Sequence, residues 1–192
     1  MRAAQNVENV EDSVNMISFC IYRTVLGNVQ ISEEFGMITS VNFQPTFSEN
    51  LLHRETVLIK TCYKQLCEYL KGNRKSFDLP LNPKGTDFQK RVWSELTKIP
   101  YGKTKSYKQI AESIKSPKAC RAVGLANNKN PIPIIIPCHR VVGSNGDLIG
   151  YAGGLHRKKF LLNLEQTSTE QELAKPQFYK SKIKNRISQS FC

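Results

Sequence analysis

Residues 130–142 read NPIPIIIPCHRVV, and they place a short apolar run immediately before a group of chemically active side chains. The isoleucines at 134–136 are β-branched and wholly apolar, which is the pattern of a strand buried on both faces. Prolines bracket this run, and because proline cannot donate to a ladder, the strand is predicted to be short and sharply ended. Three polar or reactive residues follow at once: Cys138, His139 and Arg140.

The order of these three residues indicates a nucleophile. A thiol beside an imidazole and a guanidinium is predicted to ionise readily and to attack an electrophile. A single cysteine or histidine is more often a core residue, so the motif by itself leaves a structural role open. Neighbours on a continuing strand point to opposite faces, so cooperation between Cys138 and His139 requires the backbone to turn at Pro137 or Cys138.

Positive charge is concentrated in one part of the chain, whose 192 residues carry a net charge of +12. Residues 1–80 contain eight Lys/Arg against nine Asp/Glu, a net of −1, whereas residues 81–165 contain fifteen against five, a net of +10. A solvated lysine-rich surface would spread charge along the whole chain. The basic central segment therefore favours a polyanionic partner, nucleic acid first and a membrane surface second.

Composition and motif spacing exclude several classes of protein. No apolar run is long enough to span a bilayer, and the acidic N-terminus lacks the apolar segment of a secretory signal. The six cysteines include no CxxC pair and no Cys/His cluster with zinc spacing, so no metal site is predicted. We therefore expect reduced thiols in a cytoplasmic protein, or in a nuclear one if the source is eukaryotic.

Residues 1–80 are predicted to form a small α/β domain. Two or three antiparallel strands are expected between residues 16 and 43, with a turn at 34–36. A helix is predicted from about Leu51 to Lys71, where a glycine follows. Residues 78–85 are rich in proline and glycine and are interpreted as a linker.

Residues 81–165 are predicted to be mainly helical. One helix begins at Thr86, and a second begins at Ser106, where Gln109 three residues later gives a capping-box pattern. Residues 116–117 read Ser-Pro and predict the start of a third helix, as its N-cap and first helical position. Two short helices joined by a tight turn within a basic segment indicate a helix-turn-helix that binds nucleic acid.

The remaining elements follow the cysteine. Residues 144–147 read SNGD and predict a hairpin turn, and the glycines of residues 150–154 would let a flat ligand approach the backbone. A last helix is expected to end at about Glu165. The polar, lysine-rich residues 166–192 are predicted to be weakly ordered, as are residues 1–15.

The PCHRV motif, with Asn130 eight residues before the cysteine and a YAGG loop after it, closely resembles the O6-alkylguanine-DNA alkyltransferases. The similarity is densest over residues 86–165, whereas residues 16–80 are only compatible with the family's N-terminal domain. The resemblance implies an α+β chain, with a small RNase H-like N-terminal α/β domain and a mainly helical C-terminal domain that carries a winged helix-turn-helix. It also implies a monomer that acts on double-stranded DNA containing O6-alkylguanine, with no cofactor and no membrane partner.

In that family a cysteine takes the alkyl group from O6 of guanine in one irreversible displacement. By resemblance Cys138 is the nucleophile and acceptor, His139 takes the thiol proton through a water, and Glu165 orients the imidazole. Asn130 would hold the turn of the active site. Tyr107 would hydrogen-bond the base that has rotated out of the duplex and would donate a proton as the guanine leaves.

The same resemblance assigns residues to a DNA surface and to a base pocket. Arg121, in the second helix of the pair, would take the vacated place in the base stack, where guanidinium suits better than lysine. Rotation of the base costs about a few kcal/mol, part of which this stacking offsets. The other residues implied at the DNA surface are Ser106, Ala126 and Asn127. The pocket would be lined by Tyr107, Val141, Tyr151, Ala152 and Gly153.

One departure from the family and two alternative functions accompany this interpretation. Many relatives carry serine where this chain has Ala152, so one side-chain donor is missing. The presence of Cys138 argues against the alkyltransferase-like proteins that bind lesions without repairing them. The alternatives are a DNA-binding regulator in which the cysteine is structural or redox-active, and a turnover hydrolase with a Cys/His/Glu arrangement, which needs an oxyanion hole.

Overall fold

Four strands form the sheet of the N-terminal half. The computed structural model describes residues 17–45 and 51–173. The first three strands pair antiparallel, as predicted, and the turn between the second and third has positive φ angles at Phe35 and Gly36, 52° and 71°. The sheet has the order β3-β2-β1-β4, with β1 (Ile17–Thr24), β2 (Gly27–Glu34), β3 (Met37–Asn42) and β4 (Leu51–His53).

The helix predicted from Leu51 begins later, because residues 51–53 pair in parallel with β1 instead. A strand of three residues is too short to show alternation in the sequence. Helix α1 covers Val57–Leu70, and Thr56 caps it by accepting a hydrogen bond from the Ile59 amide. Its buried face packs on β1, β2 and β3 and carries Tyr69, whose side chain is fully buried.

Residues 78–85, interpreted as a linker, run along the edge of β3. The Ile38 amide donates to the Pro80 carbonyl at 2.8 Å, and the Asn82 amide donates to the Ile38 carbonyl at 2.9 Å. Neither bond needs an N–H from Pro80, which proline lacks. Backbone hydrogen bonds therefore hold this segment against the N-terminal sheet.

The C-terminal half is mainly helical, as predicted. Capping boxes at Thr86 and Ser106 begin its first two helices at the predicted positions. The third begins at Cys120 rather than at residue 117, because residues 116–119 form a turn in which the Ala119 amide donates to the Ser116 carbonyl at 2.9 Å. The elements are α2 (Asp87–Leu96), β5 (Lys105–Ser106), α3 (Tyr107–Ser113), α4 (Cys120–Asn128), a 3₁₀ helix (Cys138–Arg140), β6 (Val141–Val142) and α5 (Leu155–Leu173).

The strand predicted at residues 134–136 is wrong, because these isoleucines lie in a tight turn. Ile134 has a φ of 74°, a left-handed conformation that β-branched residues rarely adopt, and the Ile136 amide donates to the Ile132 carbonyl at 2.9 Å. All three isoleucines are buried, so the apolar signal for burial was correct. The flanking prolines provide no N–H for a ladder, and the run folds back on itself instead.

The elements after the cysteine also differ from the prediction. Strand β6 pairs in parallel with β5, which brings Tyr107 next to the cysteine segment. The turn at residues 144–147 closes through a 2.8 Å hydrogen bond from the Gly143 amide to the Asp147 carbonyl, but no strand follows it at residues 148–149. Helix α5 continues beyond Glu165 to Leu173.

Some sequence predictions fall partly or wholly outside the described residues. The weakly ordered tail is helical up to residue 173, and residues 174–192 are not described, nor are residues 1–16. Within the described parts of the chain, no helix combines the length and the apolar character that a bilayer span requires. Cys67 is disulfide-bonded, so the prediction of reduced thiols is wrong there. Among the residues that the structure describes, the free cysteines are Cys20, Cys62, Cys120 and Cys138.

Candidate active site

Asn130 holds the loop that ends at the cysteine. Its Nδ2 donates to the Ile136 carbonyl at 2.8 Å, and its Oδ1 accepts from the Ile132 amide at 3.0 Å, so one buried side chain spans the turn. Cys138 then starts the 3₁₀ helix. The backbone therefore turns at Cys138, as cooperation between Cys138 and His139 requires.

The Cys138 thiol borders a cavity of about 330 Å³ between the two halves of the chain. Its side chain is nearly buried, and burial raises the pKa of this thiol to about 11. A hydrogen bond from Asn130, the charge of Lys158 and the hydroxyl of Tyr151 act in the opposite direction and favour the thiolate. The prediction of a readily ionised thiol is therefore wrong for the protein without substrate.

Arg140 does not flank the thiol, although it lies two residues away. Its Nε lies 3.0 Å and 3.1 Å from the two carboxylate oxygens of Glu165, and its Nη1 donates to the Ile99 carbonyl at 2.6 Å. The guanidinium thus belongs to the environment of the imidazole. Lys158 is the cation whose charge lowers the pKa of the thiol, and no sequence pattern singled it out.

His139 and Glu165 form a fully buried pair. Nε2 of His139 lies 2.8 Å from Oε1 of Glu165. Because an ionised carboxylate only accepts, the imidazole proton belongs on Nε2, which leaves Nδ1 with a free lone pair. Within the described residues, Nδ1 is buried and has no hydrogen-bond partner. The arrangement is that of a proton acceptor held in one tautomer.

The ionisation of this pair follows from its surroundings. Burial by itself would raise the pKa of Glu165, but the hydrogen bonds and charges of His139 and Arg140 outweigh burial and lower the pKa to about 2. Burial lowers the pKa of His139, while Glu165 opposes the change. Arg140 is therefore the permanent cation that keeps the carboxylate charged while the imidazole stays neutral.

Two more groups donate to Glu165. The Gly102 amide, in the turn after α2, donates to Oε2 at 2.7 Å. The Tyr69 hydroxyl, from the N-terminal half, donates to Oε1 at 2.5 Å and lies 3.2 Å from Nε2 of His139. No sequence pattern indicates this role, since Tyr69 occupies an ordinary core position at helical spacing in α1.

Tyr107 lies at the start of α3 and, like Val141, does not line the cavity beside Cys138, although both were predicted to line the base pocket. Its hydroxyl donates to the Ile149 carbonyl at 2.9 Å, and burial together with the charge of Cys138 raises its pKa. Lys158 is fully buried under it, with Nζ 5.9 Å from the centre of the Tyr107 ring. Burial lowers the pKa of Lys158 to about 8, and its Nζ donates to the Val141 carbonyl at 2.6 Å. That carbonyl, predicted to read the base, already has a partner.

The glycine loop borders the same cavity. Tyr151 is buried, and within the described residues its hydroxyl has no hydrogen-bond partner of ordinary geometry. Ala152 is exposed, and a side chain at Gly153 would meet the Tyr151 ring at 2.8 Å, so glycine is required there. Arg157 anchors the loop, because its Nη1 donates to the Gly153 carbonyl at 2.7 Å and its Nε to the Leu26 carbonyl at 3.0 Å.

The predicted DNA-contacting residues separate into two groups. Arg121 is exposed on α4, whereas Ala126 and Asn127 lie on the buried face of that helix. The Ala126 carbonyl accepts from the Trp93 indole at 2.8 Å, and Nδ2 of Asn127 donates to the Cys138 carbonyl at 3.2 Å. Helical spacing therefore assigns both to the interior. Ser106 uses its hydroxyl to cap α3.

Metal chemistry was not predicted for this chain. Among the described residues, no group of three or more His, Cys, Asp or Glu side chains is placed to hold a metal ion.

Two protein-family models match the chain. One is described as 6-O-methylguanine DNA methyltransferase, ribonuclease-like domain, and matches residues 17–83. The other is described as 6-O-methylguanine DNA methyltransferase, DNA binding domain, and matches residues 87–167. Together the two models span both the sheet of the N-terminal half and the helices that surround Cys138.

Curated relatives carry the same kind of name, methylated-DNA–protein-cysteine methyltransferase. The Methanosarcina barkeri protein is 63% identical over 105 residues, which is 55% of this chain and 66% of its own length. The match thus spans just under two thirds of that relative. The constitutive Bacillus subtilis protein is 46% identical over 158 residues, 78% of this chain and 95% of its own length. The Mycobacterium tuberculosis protein is 54% identical over 158 residues, 79% of this chain and 96% of its own.

A solved structure shares the fold. The crystal structure of Mycobacterium tuberculosis OGT in complex with DNA has a TM-score of 0.74 and 40% sequence identity, and the match covers 79% of this chain and 94% of that one. The same two-part architecture, the two matching family models and the near-complete coverage of the bacterial relatives agree. The chain belongs to the 6-O-methylguanine DNA methyltransferase family.

Proposed function

We propose that this chain repairs DNA by direct reversal, moving a methyl or larger alkyl group from O6 of guanine, and less readily from O4 of thymine, to its own Cys138. One observation carries the proposal: a thiol borders a cavity next to a buried His–Glu pair, on a half of the chain that matches the family's DNA-binding domain. The sulfur keeps the alkyl group, so each molecule reacts once.

The proton of the thiol goes to Nδ1 of His139, through a water. The lone pair on Nδ1 supports this route, because the Nε2 proton is committed to Glu165. Raising the thiol pKa by burial keeps the nucleophile protonated until a base can accept the proton. As the imidazole becomes charged, the carboxylate of Glu165 stabilises it at 2.8 Å.

The displacement forms the S–C bond and breaks the C–O bond at O6. The electron pair of the C–O bond stays on the guanine. Guanine is a better leaving group once it is protonated. Tyr107 donates that proton, and its ring and hydroxyl lie at the edge of the site, with the hydroxyl on the Ile149 carbonyl. This step leaves a phenolate on Tyr107, and the Lys158 ammonium, 5.9 Å from the ring centre, stabilises it.

Access to the thiol requires the damaged nucleotide to leave the duplex. Unstacking costs about a few kcal/mol, and Arg121, exposed on α4, can fill the gap and pair with phosphate. The +10 charge of residues 81–165 supplies the general attraction to DNA, so affinity falls as salt rises. Ser106 caps α3 directly before Tyr107 and would approach the same strand of the DNA.

We propose further that the protein is a monomer with a domain of residues 1–80, an alkyltransferase domain of residues 81–165 and a tail of residues 166–192. It would act on double-stranded DNA in the cytoplasm, or in the nucleus of a eukaryote, without a cofactor. Analytical ultracentrifugation alone and with a short duplex tests the monomer, since a dimer would sediment as a species of twice the mass.

The decisive experiment is intact-mass spectrometry after incubation with a duplex that contains one O6-methylguanine. The expected product is a protein heavier by one methylene, because a methyl group replaces the thiol hydrogen. Peptide mapping should place the group on Cys138. Cys120→Ala is the matched control, because Cys120 is a free, partly exposed thiol on α4 and should be dispensable.

Other outcomes would support the alternatives. A protein that gains no methyl group but binds one undamaged sequence selectively would be a DNA-binding regulator. Release of product in excess of the protein concentration would indicate a hydrolase with turnover. Either result would overturn the proposed function.

A further inference from the structure

Tyr69 connects the N-terminal half of the chain to the buried pair. It belongs to α1, it is fully buried, and 96 residues separate it from Glu165 in sequence. Its hydroxyl nevertheless lies 2.5 Å from Oε1 of Glu165 and 3.2 Å from Nε2 of His139. Its ring packs edge-on against His139 with the centroids 6.5 Å apart. The phenol therefore contacts both members of the pair.

The proton on this phenol has one acceptor. Nε2 of His139 already carries the proton that it donates to Glu165, and a carboxylate only accepts, so the Tyr69 proton also points at Oε1. Three residues thus donate to Oε1, namely His139, Tyr69 and Arg140, while Gly102 and Arg140 donate to the other oxygen. Burial, the charge of Glu165 and the hydrogen bond to it raise the pKa of Tyr69, so the phenol remains a donor throughout the working range.

We propose that Tyr69 is a positioning residue for alkyl transfer: its hydroxyl fixes the Glu165 carboxylate, and through it the imidazole of His139, so that the N-terminal domain completes the proton-accepting pair. This inference rests on the proposed function. Tyr69 does not touch the substrate or the sulfur. It holds Oε1 where His139 can donate its Nε2 proton to it. Nδ1 of the imidazole then faces away from the carboxylate.

The phenol also limits how basic His139 becomes. Because Tyr69 shares Oε1, it takes up part of the carboxylate's negative charge that would otherwise stabilise the imidazolium. Removing the hydroxyl should therefore raise the pKa of His139. The other groups that face the imidazole remain in place in such a variant, and they are Glu165 and Lys158 of α5 and Cys138 and Arg140 of the 3₁₀ helix.

The experiment compares Tyr69→Phe with Tyr63→Phe in the full chain. Tyr63 is a matched control, since it lies on the same helix and its hydroxyl also donates one hydrogen bond, to the Arg23 carbonyl at 3.1 Å. Single-turnover methyl transfer is measured from about pH 5 to 8 with saturating O6-methylguanine duplex, the range in which a histidine charges. The pKa of His139 is followed by NMR of labelled histidine, with His139→Gln used for assignment.

Tyr69→Phe should slow transfer about tenfold near neutral pH. The loss should shrink as pH rises, because a more basic His139 must first be deprotonated before it can accept the thiol proton. The NMR titration should show a higher pKa for His139, and duplex affinity should stay unchanged. Tyr63→Phe should match the wild type in rate, in pH profile and in the pKa of His139.

Two results would overturn the inference. One is an unchanged rate and pH profile in Tyr69→Phe; the other is an equal loss at every pH with an unchanged pKa of His139, which marks a purely structural role. If Tyr69→Phe does not fold, 3-fluorotyrosine at position 69 retains the packing and strengthens the donor. The pKa of His139 should then fall, and no change would contradict the inference. A wild-type protein that gains no methyl group would defeat the proposed function itself and not the role of Tyr69.

Discussion

The two side chains at the start of the 3₁₀ helix occupy opposite environments. His139 is fully buried against Glu165, and that carboxylate has Arg140, Gly102 and Tyr69 as further donors. Cys138 borders a cavity instead, and burial raises the pKa of its thiol to about 11. The imidazole side, meaning His139 and Glu165 with its donors, is thus rich in hydrogen bonds. On the thiol side, meaning Cys138 and the cavity, the reactive group stays protonated.

This difference separates two requirements of the reaction. A proton acceptor has to be held in one tautomer, and a network of donors on a buried carboxylate does so. A nucleophile has to become reactive only when the substrate fills the cavity, and a protonated, desolvated thiol is inert until then. We infer that His139 is always able to accept a proton, whereas the Cys138 thiol stays protonated until substrate fills the cavity.

Cys138→Ala removes the thiol side and should have the largest effect. Methyl transfer should be abolished, because no other described thiol borders the cavity. Affinity for an O6-methylguanine duplex should stay within about twofold, since the alanine removes one atom and no charge at neutral pH. Fluorescence anisotropy with the same duplex measures affinity, and residual methyl transfer in this variant would contradict the assignment.

Glu165→Gln breaks the imidazole side while leaving the thiol in place. We expect transfer to fall by about 100-fold, because the imidazolium loses its counter-ion and the tautomer is no longer fixed. Lys98→Gln provides a comparison, since it also removes one charge from an ion pair but at an exposed site, and it should react normally. Quench-flow single-turnover rates measure the difference, and equal rates in the two variants would refute the role of Glu165.

The same substitution should change how stability depends on pH. The pKa of Glu165 is about 2 in the folded protein against an ordinary 4.5, so its contribution is fully present above about pH 4.5 and is lost as pH falls toward 2. A shift of that size corresponds to about 3 kcal/mol. Urea unfolding from pH 7 to 2 should show this loss in the wild type and a flatter curve in Glu165→Gln.

Arg121→Ala tests whether an arginine must fill the gap in the base stack for the damaged base to reach the site. Repair of duplex DNA should slow about tenfold, because the gap in the base stack is no longer filled. Reaction with the free base O6-benzylguanine should be unaffected, since that substrate needs no unstacking. Lys118→Ala controls for lost charge near the same helix. Equal losses on duplex and free base would exclude the stacking role.

Lys158→Met should have the smallest effect and addresses the thiol side directly. Removing this cation should raise the pKa of the Cys138 thiol further and slow transfer several-fold. Lys158→Arg retains a charge and should stay closer to the wild type. Thiolate absorbance during a pH titration measures the change, and an unchanged pKa in Lys158→Met would show that the lysine does not act on the sulfur.

Local patterns in the sequence predicted a large part of this structure. Both capping boxes, at Thr86 and Ser106, begin helices where the residue spacing indicated, because the hydrogen bonds involved span only three residues. Cooperation between Cys138 and His139 required a turn at Pro137 or Cys138, and a 3₁₀ helix begins at Cys138. Burial of the isoleucines at 134–136 was also correct. The motif around Cys138 identified the family through its residues and not through any pattern of hydrophobicity.

Other features depend on contacts that no local pattern encodes. Apolar β-branched residues favour a strand, but Ile134 adopts a positive φ because the surrounding prolines and Asn130 determine the path of the loop. Arg140 was expected beside the thiol, yet the distant Glu165 attracts it. The role of Tyr69 depends on the docking of one half of the chain on the other, and its position in α1 looks like that of any core aromatic.

The hydrogen bond from Tyr107 to the Ile149 carbonyl has a consequence for which bases can enter. An incoming ring that displaces this carbonyl must present an acceptor of its own, because losing this hydrogen bond would cost the half-buried phenol about 1–3 kcal/mol. A ring nitrogen satisfies the exchange almost without cost, whereas a hydrocarbon of the same shape does not. The Ile149 carbonyl thus occupies the position of a base acceptor, and we expect the site to favour heterocycles over apolar rings.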